Sequence, residues 1–245
     1  MILFLTSSPC DNDVPEHMHL PCCFFEKNQF VDNLKKFWKQ DSNCLIIAAD
    51  PYQFEMNHEM AYTFHRAFLY HGMIPNEVRI LDTRNDYHAK DLVEWSDMII
   101  LAGGHVPTQM SFFEKIGLRE LLKDYDGIVM GISAGSMNSA KMVYCQPELD
   151  GESLDPNFVR FFPGLSLTEY CILPHYQNVK DRMLDGKRLF EDITYMDSYG
   201  QKLYALVDGS YIFQADDKPE LYGEAYLIAD GQISQICQDG QILEL

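Results

Sequence analysis

The chain contains no apolar run approaching the roughly 18 to 20 residues that span a bilayer. Its apolar opening, Met1-Ile-Leu-Phe-Leu5, turns polar at Thr6-Ser-Ser-Pro9 and has no basic segment before it. The expectation is a buried first strand rather than a secretory signal. Basic residues are scarce: 19 Lys and Arg stand against 37 Asp and Glu, a formal net charge of −18. So acidic a surface repels phosphate backbones and anionic membranes, so neither nucleic acid nor a membrane is an expected partner. It does not select a substrate, because a local cationic pocket is compatible with an acidic protein. Repeats, low-complexity stretches and linkers are also missing, and residues 1–245 read as a single domain. The cysteines form no disulfide framework. They are odd in number (Cys10, Cys22, Cys23, Cys44, Cys145, Cys171 and Cys237) and irregularly spaced. Reduced thiols in a cytoplasmic protein are expected.

Apolar residues are plentiful. A hydrophobic fraction of 47% and an aromatic fraction of 13% are enough to bury a full core and exclude a disordered chain. The signals alternate between strand and helix. Ile2–Leu5, Cys44–Ala49, Val78–Leu81, Met98–Leu101 and Ile128–Met130 read as buried strands. Phe30, Leu34, Phe37 and Trp38 mark one amphipathic helix; Met60, Phe64, Ala67 and Phe68 mark another, ended by Gly72. The segment from Phe112 to Leu122 reads as a third helix. Unbroken apolar strands separated by amphipathic helices predict an α/β protein, a mainly parallel sheet covered on both faces. In the last forty or so residues the pattern changes. Asp208-Gly209 and Asp230-Gly231 each stand between apolar runs, which predicts antiparallel hairpins completing one sheet edge. The hairpins' apolar residues are compatible with a homodimer interface and equally with core.

The chemistry concentrates at Gly131-Ile-Ser-Ala-Gly135, directly after a buried strand and before a helix. G-x-S-x-G alone is a weak signal. Between strand and helix it makes a tight turn that pushes the Ser133 hydroxyl out at the carboxyl end of the sheet. A serine needs a base, since its hydroxyl is a poor nucleophile near neutral pH. His58, His65 and His71 fall on or near one helix, His17 and His19 in the first loop, and His88 before a helix. His175 is the best candidate, because it follows Cys171-Ile-Leu-Pro174 at a strand end, where reactive groups of an open α/β sheet gather. Gly103-Gly104 ends the strand before the serine's own. Its amides, with that of Ala134, are placed to form an oxyanion hole; a plain tight turn is the alternative. The first loop holds Cys10, His17, His19, Cys22 and Cys23. Their spacing matches no common zinc module, and no metal or organic cofactor is expected.

Leu101-Ala-Gly-Gly104, Gly131-Ile-Ser-Ala-Gly135 and Pro174-His175-Tyr176, in that order, resemble the peptidase E group of serine peptidases. That group contains the aspartyl dipeptidases and, more distantly, the cyanophycinases. The resemblance implies a fold like the class I glutamine amidotransferase domain, a flavodoxin-like three-layer α/β/α sandwich. It implies Ser133 as nucleophile, His175 as base, and Gly103 and Gly104 as oxyanion donors. In glutamine amidotransferases the acid stands two residues after the histidine, where this chain has the neutral Gln177. The resemblance instead implies an acid in the loop after the nucleophile's helix. Glu148 is chosen, with Asp150 and Glu152 as alternatives. Aspartyl dipeptidases tend to have Asn where this chain has His105, and a stretch similar to G-E-T-R where it has Gln177-Asn-Val-Lys-Asp-Arg182. His105 is therefore expected to touch substrate, and Arg182 or Lys180 to neutralise a substrate carboxylate.

The expected reaction is hydrolysis of a short peptide through a Ser133–His175–Glu148 triad and an acyl-enzyme. Hydrolysis of another amide or ester, or ligand binding without turnover, are the alternatives. A glutamine amidotransferase would need a cysteine at 133 and an acid at 177, and has neither.

Overall fold

The computed structural model describes residues 1–11, 22–215 and 218–245. Strands are numbered here for the two larger sheets only. They are β1 (Ile2–Thr6), β2 (Ser42–Ile47), β3 (Pro75–Leu81), β4 (Met98–Leu101), β5 (Ile128–Ile132) and β6 (Cys171–Leu173). The chain continues through β7 (Lys202–Leu206), β8 (Tyr211–Gln214), β9 (Glu220–Tyr222), β10 (Ala225–Ala229), β11 (Gln232–Cys237) and β12 (Ile242–Glu244). An 8-stranded sheet runs in the order β12-β9-β8-β1-β5-β4-β2-β3. From β1 to β3 every pairing is parallel, and β8, β9 and β12 extend the β1 edge antiparallel.

Apolar residues alternate along the parallel strands, so each strand buries both faces. Leu3, Leu5, Leu45, Ile47, Ile99, Leu101 and Val129 pack on one side. There they meet helices α3 (Ala89–Trp95), α4 (Val106–Lys115) and α5 (Leu118–Leu121). Phe4, Cys44, Ile46, Met98, Ile100 and Met130 face the other way, toward α1 (Phe30–Phe37) and α2 (Phe54–Tyr70). These two cores make the expected α/β layering. Gly72 ends α2 with φ +74, as its position implied. The expected helix from Phe112 to Leu122 is instead two helices. Helix α4 begins earlier, with Pro107 in its first turn, and Gly117 at φ +66 breaks the path before α5.

The larger correction concerns the C-terminal third. The second Asp-Gly does make a hairpin, β10 to β11, with Asp230 and Gly231 at φ 48 and 78. Asp208-Gly209 does not. Strand β7 before it belongs to a separate 4-stranded sheet, β6-β7-β10-β11, while β8 after it pairs with β1 in the large sheet. Asp208 therefore sits where the chain crosses between sheets. A third core of Val106, Ala134, Met137, Leu173, Leu203, Ala205 and Ile228 joins this small sheet to α4 and to the segment after Ser133. Among the described residues no helix is long and apolar enough to cross a membrane.

Candidate active site

Ser133 stands between β5 and the short helix α6 (Ala134–Asn138) with φ 50 and ψ −111. Such a conformation is strained for a residue with a side chain, at about 1–3 kcal/mol. Its amide N–H is held by the carbonyls of Thr6 (3.2 Å) and Ser7 (3.1 Å). The flanking glycines have steric reasons. A Cβ on Gly131 would lie 2.8 Å from the Ser136 backbone, and one on Gly135 would run into the carbonyl of Leu101 in β4. The turn can be this tight only where both side chains are absent. Because α6 is a single turn or so, it supplies its first amides rather than the aligned dipole of a long helix.

Gly103 and Gly104 follow β4, the neighbour of β5. A Cβ on Gly103 would lie 3.4 Å from the Ser133 Cβ, and one on Gly104 would lie 2.6 Å from the Ala49 Cβ. Among the described residues neither the Gly104 nor the Ala134 amide donates to a backbone carbonyl in the loops and turns around the site. Two N–H groups so placed beside a serine are what a developing oxyanion needs.

His175 follows β6, so it approaches from the end of the small sheet, not from the parallel sheet that carries Ser133. It sits in the left-handed region, φ 57 and ψ 31, ahead of the short helix α7 (Tyr176–Val179). Its amide donates to the Ser7 hydroxyl at 2.7 Å. Its ring Nδ1 lies 2.7 Å from Oδ1 of Asp208. The partner of the imidazole is therefore Asp208, and the expectation of Glu148 in that place is corrected. Asp208 also accepts from the Ser7 hydroxyl at Oδ1 (2.7 Å) and from the Gln177 amide at Oδ2 (2.7 Å). The Gln177 carbonyl oxygen in turn accepts the Asp208 N–H at 3.2 Å. Burial pushes the Asp208 carboxyl up, but the bonds from His175, Ser7 and Gln177 outweigh it and hold it below the ordinary carboxylate range. An ionised Asp208 makes Nδ1 the protonated ring nitrogen and leaves a lone pair on Nε2.

The acidic loop plays other parts. Glu152 accepts from the amides of Glu148 (2.8 Å) and Leu149 (3.0 Å) with one oxygen and meets His105 Nε2 at 3.0 Å with the other. His105 Nδ1 is taken by the Thr108 hydroxyl at 2.7 Å, so the imidazole clamps the loop. Arg182 donates to the carbonyl of Glu148 at 2.6 Å. Asp150 is exposed. Glu148 lines a cleft of about 70 Å³ together with Gly104, Ser133, His175 and Arg182. Its carboxylate makes no hydrogen bond among the described residues, and His105 Nε2 is 4.0 Å away. Burial, with help from Glu152, pushes its carboxyl above the ordinary value against the pull of His105, Arg182 and His175. A broader groove of about 450 Å³, lined by Met110, Phe158 and Phe162, opens on the far side of His105.

Among the described residues no cluster of metal-ligating side chains occurs. His17 and His19 lie outside the described residues. Cys10 and Cys22 are free thiols with sulfurs 3.1 Å apart.

Asp208, Ser7 and Gln177 were not among the expected site residues. Gln177 stands where a glutamine amidotransferase has its acid, and here it donates to Asp208. In the sequence Asp208 carries only a turn signal. Ser7 carries no motif at all.

The sequence profile of Peptidase family S51 matches residues 25–222. No curated protein matches the chain. Among solved structures, a peptidase from an acI-B1 Actinobacterium superposes with a TM-score of 0.63 at 15% identity, covering 100% of this chain and 96% of its own. A peptidase E-like protein of Listeria monocytogenes EGD-e superposes with a TM-score of 0.58 at 17% identity, covering 96% and 98% respectively. At these identities the two likenesses speak for the fold.

Proposed function

As the chain belongs to peptidase family S51 and is a serine peptidase, we propose that it hydrolyses short peptides through Ser133, His175 and Asp208. The observation that carries this reading is the 2.7 Å contact between His175 Nδ1 and Asp208, in a cleft that Ser133 also lines. Ser133 Oγ attacks the scissile carbonyl as its proton passes to His175 Nε2. The amides of Gly104 and Ala134 take the negative charge that grows on the carbonyl oxygen. His175 returns the proton to the leaving amine, and the C–N bond breaks. Water then attacks the ester carbonyl, losing a proton to His175; the acyl C–O bond breaks, His175 returns that proton to Ser133 Oγ, and the acid product leaves. Asp208 keeps the imidazole in the productive tautomer and stabilises its charged form.

The cleft is small, which favours a short substrate over an extended chain. Its Glu148 carboxylate, which makes no hydrogen bond among the described residues, favours an ammonium group near the scissile bond. Arg182, tied to the Glu148 carbonyl but otherwise exposed, is the group for a substrate carboxylate. In this arrangement an N-terminal aspartate side chain meets Glu148 and is not preferred. Free thiols 3.1 Å apart suit a reducing, cytoplasmic setting.

The test is a dipeptide panel with N-terminal Asp, Glu, Asn, Ala, Lys and isoaspartyl members, followed by mass spectrometry for wild type and Ser133→Ala. Cleavage by wild type alone is expected, with Ala or Lys ahead of Asp. Equal turnover by Ser133→Ala overturns the mechanism, and a preference for Asp overturns the role given to Glu148.

A further inference from the structure

We infer that Ser7 is the positioning residue that assembles the catalytic groups, an inference resting on the triad proposed above. Ser133 is carried by the large sheet. His175 comes from the end of the small sheet, and Asp208 from the crossover between the two. No stretch of regular structure holds all three. Ser7, at the end of β1 and with 0% of its surface exposed, touches each of them. Its carbonyl accepts the Ser133 N–H at 3.1 Å. Its hydroxyl oxygen accepts the His175 N–H at 2.7 Å. The hydroxyl proton goes to Asp208 Oδ1 at 2.7 Å. Its own N–H donates to the carbonyl of Ser210, two residues past the acid, at 3.2 Å.

The donor and acceptor inventory closes. A hydroxyl carries one proton and has lone pairs to spare. Asp208, ionised, offers only acceptors, so the hydroxyl proton must point to it; the lone pair left over meets the one backbone N–H facing it. An alanine supplies neither function. Each bond also restrains something the reaction uses. The His175 N–H bond helps hold a non-glycine residue at φ 57, which aims its ring. The bond to Asp208 is one of three side-chain donors keeping that carboxylate charged. The groups facing Asp208 are His175 after β6, Gln177 on α7 and Ser7 itself. Glu148 faces His175 from the acidic loop, across the cleft.

Ser7→Ala therefore lowers kcat by about ten- to hundredfold, the scale of one hydrogen bond to a charged group, with KM changing less than about threefold. The pH dependence of kcat changes with it, because Asp208 with one donor fewer takes up a proton more readily. Ser7→Thr, which keeps the hydroxyl, recovers activity toward wild type. Ser96→Ala is the control for lost packing. Ser96 is a buried serine whose hydroxyl donates to the Val93 carbonyl. A readout independent of turnover is the NMR signal of the His175 Nδ1 proton in histidine-labelled protein, assigned by His175→Gln. It is shifted far downfield in wild type and moves upfield or broadens in Ser7→Ala. An unchanged signal, or a Ser7→Ala kcat and pH profile matching those of Ser96→Ala, overturns the inference. Failure of a fluorophosphonate probe to label Ser133 in wild type instead strikes the hydrolase reading, while the NMR comparison still decides the role of Ser7.

Discussion

Asp208→Asn is the most informative single change. The native carboxylate receives three side-chain donors, each at 2.7 Å: His175 and Ser7 at Oδ1, Gln177 at Oδ2. An asparagine that keeps its oxygen toward His175 and Ser7 turns its NH₂ against the Gln177 NH₂. Flipping Gln177 relieves that clash but then sets its NH₂ against the Asp208 N–H, which now bonds the Gln177 oxygen. One donor stays unsatisfied either way, at about 1–3 kcal/mol in this partly buried site. For a chain this long that is a loss of a few degrees in Tm. The catalytic loss is larger. The imidazolium forms in the transition state without a negative charge beside it, and the same exchange in a serine triad costs about 10⁴-fold in kcat. We expect kcat/KM to fall about 10³- to 10⁴-fold on the dipeptide hydrolysed fastest, with fluorophosphonate labelling slowed in parallel. Asp150→Asn, on an exposed position of the acidic loop, stays within about twofold of wild type. The stability curve carries a second signature. A carboxyl held below its ordinary value stabilises the fold above the ordinary range, and that contribution is lost as pH falls through the lowered value. Asp208→Asn removes this slope. An Asp208→Asn enzyme keeping a tenth of wild-type kcat/KM refutes the assignment, as does a greater loss in Glu148→Gln on an uncharged substrate.

Three further outcomes follow from the geometry. Glu148→Gln raises Tm near pH 7, because burial disfavours the ionised carboxylate there. The gain vanishes as pH falls below the ordinary carboxylate value, where Glu148 is protonated folded or unfolded, and a thermal melt series across pH reads both. Gly135→Ala drives a Cβ into the Leu101 carbonyl and destabilises the protein by about 1–3 kcal/mol or more, measured by urea titration. Mild oxidation by hydrogen peroxide joins Cys10 to Cys22, whose sulfurs need to close from 3.1 Å to about 2.05 Å, with both thiol hydrogens passing to the peroxide. Peptide mapping shows the crosslink, and Cys22→Ser abolishes it.

The parts of the site readable from sequence were those whose chemistry is local. Gly131 and Gly135 must be glycine because neighbouring backbone occupies their Cβ positions, and that need is written in the spacing around Ser133. His175 was visible because apolar residues and a proline mark the strand end before it. The strand–helix alternation was legible for the same reason, since each strand buries both faces. Asp208 was not legible. Asp-Gly between apolar runs is a hairpin signal, but β7 and β8 find their partners in different sheets, so tertiary pairing overrode the local turn preference. The acidic loop misled in the opposite way. Glu148 and Glu152 stand in the right neighbourhood, yet one lines the cleft and the other fastens the loop to His105. Which carboxylate meets an imidazole is settled by how distant strands dock, and no residue near His175 announces it.

The crossover that carries Asp208 also bears on when, during synthesis, the proposed triad can come together. A chain is made from its N-terminus, and its early segments begin to fold before the late ones exist. Ser133 and His175 both precede β7, the strand beside which β6 lies, and both precede Asp208. A nascent chain halted before Lys202 thus carries two members of the proposed triad without the strand that docks β6 and without the third. Ribosome-bound chains halted before Lys202 should resist a fluorophosphonate probe that labels the completed protein; equal labelling would show that the early segments arm themselves.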